Sequence, residues 1–446
     1  MLDLLKTPFL LRAMIRRAYW DEERLIEYQE KKLREIIRYS YDHVPFYHRK
    51  MDELNIKPND IRGLKDLKKL PIIGKDQIRN NLNEIVSSDY DINGLRAFYT
   101  SGSTGKPLTI FVTKEEDIIR KVKHLRANIG CGQKPRDRWV ALTSPSHFSE
   151  ASGIQRKLRI YAPCAFISVF DDLTKQFSVL EKARPDVLGG YASSILLLAK
   201  EARRRELKTI RPRLIFTGAE LIDSRSRSFI EEVFDAPVFD QYATIEFERV
   251  AWQCQERHGY HIDADMVITQ FIDKNGEEVA SGETGQIVCT SLFSYAMPFI
   301  RYTVGDIGAP SNEKCNCGRS LPLMKVIEGR KDSLLLLPDG RLMSPFTILM
   351  TVSQFKMISD VDQFRFIQKD TDSFVLEIKK KDASVDEKTV EREFVAHIKK
   401  SLRIDAFNPK FEVTFVDSFP LDKSGKIRPV ITELNTNALQ RKVAND

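Results

Sequence analysis

The stretch Phe98-Tyr-Thr-Ser-Gly-Ser-Thr-Gly-Lys-Pro107 combines hydroxyl side chains, two glycines and a lysine within one short segment. Gly102 and Gly105 allow the backbone to approach a ligand closely and to turn its N–H groups inward. The other polar residues supply hydroxyl donors and one cation: Thr100, Ser101, Ser103, Thr104 and Lys106. Such a density of donors suits the oxygens of a polyphosphate, so the segment is predicted to be a nucleotide-binding loop.

The surroundings of this loop argue against two other interpretations. A Walker loop has a longer spacing between its first glycine and its Gly-Lys pair, with Ser or Thr after the lysine, whereas Pro107 follows here. A flexible glycine-serine linker would lack apolar flanks. The flanking segments Arg96–Tyr99 and Leu108–Val112 have the composition of β-strands, so the loop is predicted to connect two strands.

Length and composition indicate an enzyme-sized globular protein. The 446 residues exceed what a single ordinary core accommodates, which predicts at least two domains. Apolar residues make up 42% and charged residues 30%, values that are typical of globular domains. The 70 Lys and Arg exceed the 63 Asp and Glu by 7 and are spread along the chain. This mild excess suits an anionic ligand such as ATP and does not indicate nucleic-acid binding.

The N-terminal segment Met1–Arg12 is apolar but is interrupted by Asp3 and Lys6 and has no small-residue cleavage site. It is therefore not expected to be a signal peptide. No apolar run approaches the roughly 20 residues that span a bilayer, so we expect no transmembrane segment and a cytoplasmic protein. An interfacial amphipathic helix is one interpretation of this segment, and a helix packed on the first domain is the favoured one.

Short apolar runs alternate with helical patterns through the first part of the chain. This alternation predicts an α/β body of mixed, largely parallel sheets with flanking helices. The candidate strands are Trp139–Thr143, Asp186–Gly190, Leu214–Gly218 and Pro237–Asp240, and the candidate helices are Ser193–Arg204 and Ser224–Phe234.

The pattern changes after about residue 330. Segments Gln363–Gln368 and Ser373–Lys379 predict an antiparallel pair, and apolar residues between Val390 and Leu402 fall on one face of a helix. A last strand is predicted at Phe411–Val416. The C-terminal part is therefore predicted to be a small α+β domain.

The loop at residues 98–107 resembles the phosphate-binding signature of the adenylate-forming enzymes, the superfamily of acyl-CoA synthetases, luciferases and adenylation domains. Three further segments resemble motifs of this superfamily in the same order: Leu214–Glu220, Asp240–Glu246 and Met297–Asp306. The small residues Gly218 and Ala219, followed by Glu220, would admit a flat purine or acyl group against the backbone.

The second and third of these segments carry the remaining nucleotide contacts that the resemblance implies. Tyr242 would stack on adenine, Glu246 would bind Mg²⁺ through oxygen, and Asp306 would accept both ribose hydroxyls. The resemblance assigns the neighbouring residues of the second segment to the same nucleotide site: Gln241, Ala243 and Thr244.

A fourth segment, Ile327–Ser333, resembles the superfamily's hinge between a large and a small domain. Arg330 would reach ribose or phosphate, and Asp332 would be the pivot. The partner segment Pro420–Arg428 places Lys426 on the superfamily's catalytic lysine, which would neutralise charge that accumulates during attack on the α-phosphate. The predicted domains are therefore residues 1–331, a large adenylation domain, and residues 332–446, a mobile lid domain.

Within the superfamily, the chain is most similar to the branch of phenylacetate–CoA ligases, CapK-like proteins and coenzyme F390 synthetases. The resemblance rests on four segments: Ser40–His48, Leu67–Asp76, Pro298–Tyr302 and Cys315–Arg319. The chain departs from the branch at Ala243, where Gly is common, and at Ile245, where Ser or Thr usually precedes the metal-binding Glu. Residues Leu334–Leu342 also lack the Gly-Val-Asn-like stretch of the phenylacetate ligases, which weakens phenylacetate as the acid.

The cysteines add a metal hypothesis. Cys315 and Cys317 lie in a polar segment too tight for a good disulfide between them. Cys254 and His258 are four residues apart upstream, with His261 as an alternative ligand. Two such pairs would complete a tetrahedral structural zinc site. The other cysteines are predicted to be buried small apolar residues: Cys131, Cys164 and Cys289.

These observations predict an enzyme that uses ATP and Mg²⁺ to convert a small carboxylic acid into an acyl-adenylate and pyrophosphate. CoA thiol is the expected acceptor in the second step, and Tyr191, Gly218 and Tyr242 would line the acyl pocket. An alternative is transfer of an acyl or adenylyl group to an amine, hydroxyl or carrier. A non-catalytic nucleotide-binding protein is a further alternative, against which Lys426, Glu246 and Asp306 argue. The identity of the acid and the oligomeric state, monomer or homodimer, stay open.

Overall fold

The computed structural model describes residues 2–99, 108–143, 145, 160–328, 335–340, 342–343, 345, 348, 351–352, 355–420 and 427–434. Several predicted site residues lie outside these ranges: Thr100 to Lys106, Arg330, Asp332 and Lys426. Their roles stay predictions.

Most helices of the described chain lie in its N-terminal part. The described helices are α1 Leu2–Arg17, α2 Glu22–His43, α3 Pro45–Glu53, α4 Lys75–Asn80, α5 Leu82–Ile85, α6 Lys114–Gly130, α7 Leu173–Ala183, α8 Ala192–Arg204, α9 Ser224–Phe234 and α10 Glu387–Leu402. Helices α2, α6, α7 and α9 begin with a side-chain N-cap hydrogen bond, and at α6 Thr113 and Glu116 form a reciprocal capping box.

The strands divide into the larger set of the N-terminal part and a smaller set of the C-terminal part. The first set is β1 Arg96–Tyr99, β2 Thr109–Val112, β3 Trp139–Thr143, β4 Pro163–Ser168, β5 Val187–Tyr191, β6 Leu214–Gly218, β7 Val238–Thr244, β8 Glu248–Trp252, β9 Tyr260–Ile262, β10 Val267–Ile272, β11 Gly285–Ser291, β12 Tyr302–Ser311 and β13 Leu323–Glu328. The second set is β14 Leu335–Leu336, β15 Leu342–Met343, β16 Val361–Asp370, β17 Ser373–Lys380, β18 Lys410–Phe415 and β19 Val430–Thr432.

The largest sheet contains eleven strands in the order β10-β11-β12-β13-β9-β8-β7-β6-β5-β3-β4. Neighbouring strands from β7 to β4 are parallel, whereas those from β10 to β7 are antiparallel. The prediction of a mixed α/β sheet is confirmed, with parallel pairing confined to one half. The parallel strands β5 and β6 are largely apolar because helices cover the sheet there.

Strands β1 and β2 form an antiparallel pair in which Tyr99 is opposite Thr109. The predicted pair of strands on either side of the nucleotide-binding loop is therefore confirmed. Helix α6 begins directly after β2, at Lys114. The last residue of β2, Val112, and the first residue of α6 are therefore close together because only Thr113 separates them.

The N-terminal helix α1 packs against the protein, as the favoured interpretation of the sequence predicted. Its buried Met14 clusters with Val122 of α6 and with Met266 and Phe293 of the antiparallel half. In the described part of the chain, no helix has the length and apolar character needed to cross a bilayer.

The C-terminal part forms a separate four-stranded sheet in the order β18-β17-β16-β19, with β16 and β17 antiparallel as predicted. Helix α10 buries Val390, Phe394, Ile398 and Leu402 against it. An ion pair of 2.7 Å between Lys200 Nζ on α8 and Asp362 Oδ1 on β16 connects this sheet to the larger part of the chain. The predicted α+β character of the C-terminal part is confirmed.

Helix α6 buries charged side chains as well as apolar ones. Arg126 is 2% exposed and donates to Asp265 Oδ1 at 2.7 Å and to Asp263 Oδ1. Burial opposes the charge of Arg126, but the two carboxylates raise its pKa above the usual value. Arg17 of α1 donates to the other oxygen of Asp265 at 2.8 Å. The network therefore connects α1, α6 and the segment between β9 and β10.

We predict that Arg126→Met lowers the free energy of unfolding by about 3–5 kcal/mol, because it leaves two buried carboxylates without their shared cation. Denaturant unfolding measures the change. The matched control is Arg16→Met on the exposed face of α1, which should change stability little. Equal stability of the two variants would contradict the assigned importance of the buried network.

Candidate active site

A tight turn between β7 and β8 positions Glu246. The Oγ1 atom of Thr244 accepts a hydrogen bond from the backbone N–H of Phe247 at 3.1 Å, which closes the turn. Glu246 is 8% exposed, so its carboxylate faces the protein. Ala243 and Ile245, which differ from the branch pattern, are exposed and half-buried respectively. Their substitutions are therefore compatible with the turn.

Strand β12 supplies the two side chains that face this turn and β7. The hydroxyl of Tyr302 donates to Glu246 Oε1 at 2.8 Å, and the hydroxyl of Tyr242 donates to Asp306 Oδ2 at 2.6 Å. The structure thus brings together three of the predicted nucleotide residues, Tyr242, Glu246 and Asp306. Burial, followed by the charge of Asp306, raises the pKa of Tyr242 well above its ordinary value, so its hydroxyl stays protonated as the donor.

These contacts show that the large sheet curves strongly. Three strands, β13, β9 and β8, lie between β12 and β7 in the order of the sheet. Even so, Tyr242 of β7 and Asp306 of β12 are within hydrogen-bond distance. The antiparallel half therefore folds over the end of β7, and the candidate site lies in the resulting concavity.

The base of the site is a set of buried hydrogen bonds around Asp240. Thr217 donates to Asp240 Oδ1 at 2.6 Å and Tyr260 donates to Oδ2 at 2.7 Å. The amide of Gln241 donates to Asn128 Oδ1 on α6 at 2.8 Å. Gly218 is needed at the end of β6 because a Cβ there would lie 3.0 Å from the carbonyl oxygen of Gln241. These bonds fix the end of β7 directly before Tyr242.

Two other predicted residues have evident structural partners. The carboxylate of Glu220 accepts hydrogen bonds from the backbone N–H and the hydroxyl of Ser193, at 2.8 and 3.0 Å, at the start of α8. The hydroxyl of Tyr191 accepts from Thr143 Oγ1 at 3.3 Å at the ends of β5 and β3. Ala219 adopts a positive φ of 63° directly after β6. This left-handed residue turns the chain away from the strand end.

A second group of side chains has the composition of a metal site. The ligand atoms of Cys254, His261, Cys315 and Cys317 all lie within 4.8 Å of one another. Two of the separations are 3.5 Å, from Cys254 Sγ to Cys315 Sγ, and 3.3 Å, from Cys317 Sγ to His261 Nε2. Ligands roughly 2.0–2.3 Å from a tetrahedral zinc would be about 3.3–3.8 Å apart, so the donor set and spacing fit that ion.

The histidine of this cluster is oriented by a second contact. Its Nδ1 atom lies 3.4 Å from the carbonyl oxygen of Leu321, which favours the tautomer with Nε2 free to bind a metal. Burial lowers the pKa of His261 to about 4, so the imidazole is neutral at pH 7. Burial opposes ionisation of Cys317, but hydrogen bonds from Arg319 lower the pKa of its thiol below the ordinary value.

The structure corrects two expectations about the cysteine and histidine residues. His258 is exposed and is not part of the cluster, because the chain turns at Gln255 and Glu256 and only strand β9 directs a histidine inward. Cys164 is exposed rather than buried, because it lies on β4, the edge strand of the sheet. Cys131 and Cys289 are buried as predicted.

Known proteins of two kinds are similar to this chain. A phenylacetate-coenzyme A ligase of Thermus thermophilus is 28% identical over 322 residues, which cover 71% of this chain and 72% of that protein. The protein CapK of Staphylococcus aureus is 24% identical over 437 residues, covering 92% and 90% of the two chains. No protein-family profile matches the chain.

Among solved structures, a 2-hydroxyisobutyryl-CoA ligase with a bound acyl-adenylate superimposes with a TM-score of 0.79. The two chains are 20% identical, and the match covers 97% of this chain and 94% of that one. The fold is therefore that of the adenylate-forming enzymes. In sequence, the chain is similar to phenylacetate–CoA ligases and to CapK, and the predicted resemblance to that branch is confirmed by these relatives.

Tyr302 was not predicted to be a site residue, although it lies in the segment Met297–Asp306 that resembles a superfamily motif. We predict that Tyr302→Phe lowers the free energy of unfolding by about 1.5–3 kcal/mol, the usual contribution of a hydrogen bond to a buried charged group. The matched control is Tyr41→Phe, because the exposed Tyr41 hydroxyl donates to Asp52 Oδ1 over the same 2.8 Å. Denaturant unfolding should show little change for the control, and equal losses would contradict the prediction.

Proposed function

We propose that this protein is an ATP- and Mg²⁺-dependent ligase that activates a carboxylic acid. The acid carboxylate attacks the α-phosphorus of ATP, pyrophosphate leaves, and the acyl-adenylate then passes its acyl group to the thiol of CoA with release of AMP. The observation that carries this proposal is the meeting of Tyr242, Asp306 and Glu246 in one concavity, although they come from separate strands or turns.

Each of these side chains supports a particular contact. The ring of Tyr242 would lie against adenine while its hydroxyl holds Asp306, whose carboxylate would accept the ribose hydroxyls. Glu246 suits Mg²⁺, because the Tyr302 hydrogen bond uses one of about four acceptor positions on its carboxylate. Bound Mg²⁺ would neutralise charge on the triphosphate. The hairpin of β1 and β2 supports the assignment of residues 100–106 as the phosphate loop.

The acceptor is supported by the relatives rather than by the site. The phenylacetate-coenzyme A ligase of Thermus thermophilus and the superimposed ligase are both named for CoA. A second candidate is transfer to an amine, hydroxyl or carrier, the alternative acceptor considered from the sequence. The observation in its support is coverage, because the similarity to CapK extends over 92% of this chain, against 71% for the Thermus ligase.

One experiment tests the first step and another separates the two candidates. Exchange of labelled pyrophosphate into ATP, measured with a panel of aliphatic and aromatic acids, reports acyl-adenylate formation for any acid that is accepted. The acceptor is then varied with that acid: CoA, then amines, alcohols and carrier thiols. Exchange that is stimulated by no acid in any class would count against the proposed reaction.

We further propose that residues 332–446 form a lid that rotates about Asp332 and brings Lys426 to the α-phosphate in the first step only. The distinct C-terminal sheet supports this division. A lysine in this place would neutralise charge that develops on the phosphate during attack, and it would withdraw before the acceptor enters.

A structural zinc ion is proposed for the cluster of Cys254, His261, Cys315 and Cys317. These residues come from the end of β8, from β9 and from the connection between β12 and β13. Zinc would therefore fasten the strands that follow Glu246 to the segment that follows Asp306. Because all four ligands come from the protein, the site is of the closed, structural kind.

We predict that Lys426→Ala lowers ATP–pyrophosphate exchange by about 100-fold or more, in keeping with the loss of a charge-stabilising group in the transition state. Transfer from preformed acyl-adenylate to the acceptor should stay near the wild-type rate. Lys423→Ala, in the same segment, is the control and should retain both half-reactions. Equal losses in the two half-reactions would argue against a lysine that acts in one orientation only.

Protein purified without chelators should contain about one zinc per chain, since the ligand set is that of a structural zinc site. We predict that the His261→Gln variant loses the metal and unfolds at a lower temperature. The His258→Gln variant should keep the metal and the unfolding midpoint of the wild type. Elemental analysis and thermal denaturation of the three proteins measure these outcomes. Absence of zinc from the wild type, or its loss from the His258 variant, would refute the assigned ligands.

A further inference from the structure

The carbonyl groups of the turn that carries Glu246 point at two cations of helix α6. Arg120 donates through one guanidinium nitrogen to the carbonyl oxygen of Ile245 at 2.8 Å, with a longer contact of 3.5 Å to that of Glu246. Lys123 Nζ donates to the carbonyl oxygen of Phe247 at 3.1 Å. Three consecutive carbonyls, including that of Glu246 itself, are therefore held by side chains one helical turn apart.

Both cations are buried, at 6% exposure for Arg120 and 0% for Lys123. Among the described residues, neither forms an ion pair with a carboxylate within 4.0 Å, in contrast to Arg126 on the same helix. Burying a charge costs several kcal/mol unless close opposite charges and hydrogen bonds compensate. Carboxylates such as Glu248 attract both cations from farther away, so the compensation within hydrogen-bond distance comes from the carbonyl oxygens of the turn.

Arg120 also contacts the strand that leads into the predicted phosphate loop. Its guanidinium lies 5.1 Å from the centroid of the Phe98 ring on β1. Two residues earlier on β1, Arg96 pairs with Asp117, one turn before Arg120 on α6. One guanidinium thus touches both the hairpin of the phosphate loop and the turn of Glu246.

We propose that Arg120 and Lys123 are positioning residues that fix the Glu246 carboxylate relative to strand β1. The inference rests on the proposed function, in which Glu246 binds the divalent cation of the metal–ATP complex. The two α6 cations hold the backbone carbonyls on either side of Glu246, and the Tyr302 hydroxyl donates to its carboxylate. Without Arg120, the turn would keep its fold through Thr244 but would lose its fixed distance from β1.

The test measures metal affinity rather than turnover. Binding of Mn²⁺, used in place of Mg²⁺ for its paramagnetic signal, is titrated in the presence of saturating α,β-methylene-ATP, which cannot be cleaved at the α-phosphate. We predict that Arg120→Met raises the Kd for Mn²⁺ by about tenfold or more, the usual effect of losing a group that orients a metal ligand. The Kd for the nucleotide with EDTA present should change less than about twofold, because the nucleotide then makes no contact through the metal.

The matched control is Lys121→Met, which removes a cation from the same helix at a half-exposed position facing Asp117. Its Mn²⁺ affinity should equal that of the wild type. Arg120→Lys keeps the charge but loses the planar fork, and it should raise the Kd by a smaller factor of about three. This conservative variant replaces Arg120→Met if the latter does not fold.

The outcomes separate the inference from the proposed function. If the wild type binds neither nucleotide nor nucleotide-dependent Mn²⁺, the proposed function fails and the inference with it. If the wild type binds both and the Arg120 variants bind Mn²⁺ as tightly as the wild type does, the inference alone is overturned. It is also overturned if the folded Arg120 variants lose metal-free nucleotide binding in the same proportion, because the residue would then support the whole site.

Discussion

The burial of charged groups on helix α6 is the constraint on which the rest of the N-terminal part depends. Along this one helix, Arg126 holds the carboxylates between β9 and β10, Asn128 holds the end of β7, and Arg120 and Lys123 hold the turn before β8. Removing these cations from water costs free energy, and they are stable only if their partners lie at fixed positions. The arrangement of the strands around α6 is therefore specific. Helix α6 therefore sets the places of strands that are far apart in sequence.

The curvature of the large sheet follows from the same arrangement. Tyr242 on β7 can reach Asp306 on β12 only because the antiparallel half of the sheet folds back over the end of the parallel half. Tyr242 lies near the carboxyl end of β7, and α/β sheets commonly bind ligands at the carboxyl ends of their parallel strands. The site is thus formed between two halves of one sheet, with α6 packed against both.

Two sets of contacts stabilise the shape of this concavity. Hydrogen bonds from Tyr302 and Tyr242 orient the two carboxylates that would contact metal and nucleotide, Glu246 and Asp306. Farther out, the cluster of Cys254, His261, Cys315 and Cys317 joins the strands that follow Glu246 to the segment that follows Asp306. The inner contacts set distances at the site, and the outer cluster would limit how far its walls can separate.

The sequence by itself determined the class of fold, most strands of the parallel half with two of its helices, and the main elements of the C-terminal part, and it supplied the candidates for the nucleotide site. Alternating apolar runs and the motifs around Gly218, Tyr242 and Asp306 each carry their information within a short segment of the chain. Only the tertiary structure decided that His261 rather than His258 joins the cysteines, that Cys164 is exposed, and that Tyr302, Arg120 and Lys123 face Glu246. In a sequence, Arg120 and Lys123 look like one solvated helix face, because local spacing does not reveal which distant strand will cover that face.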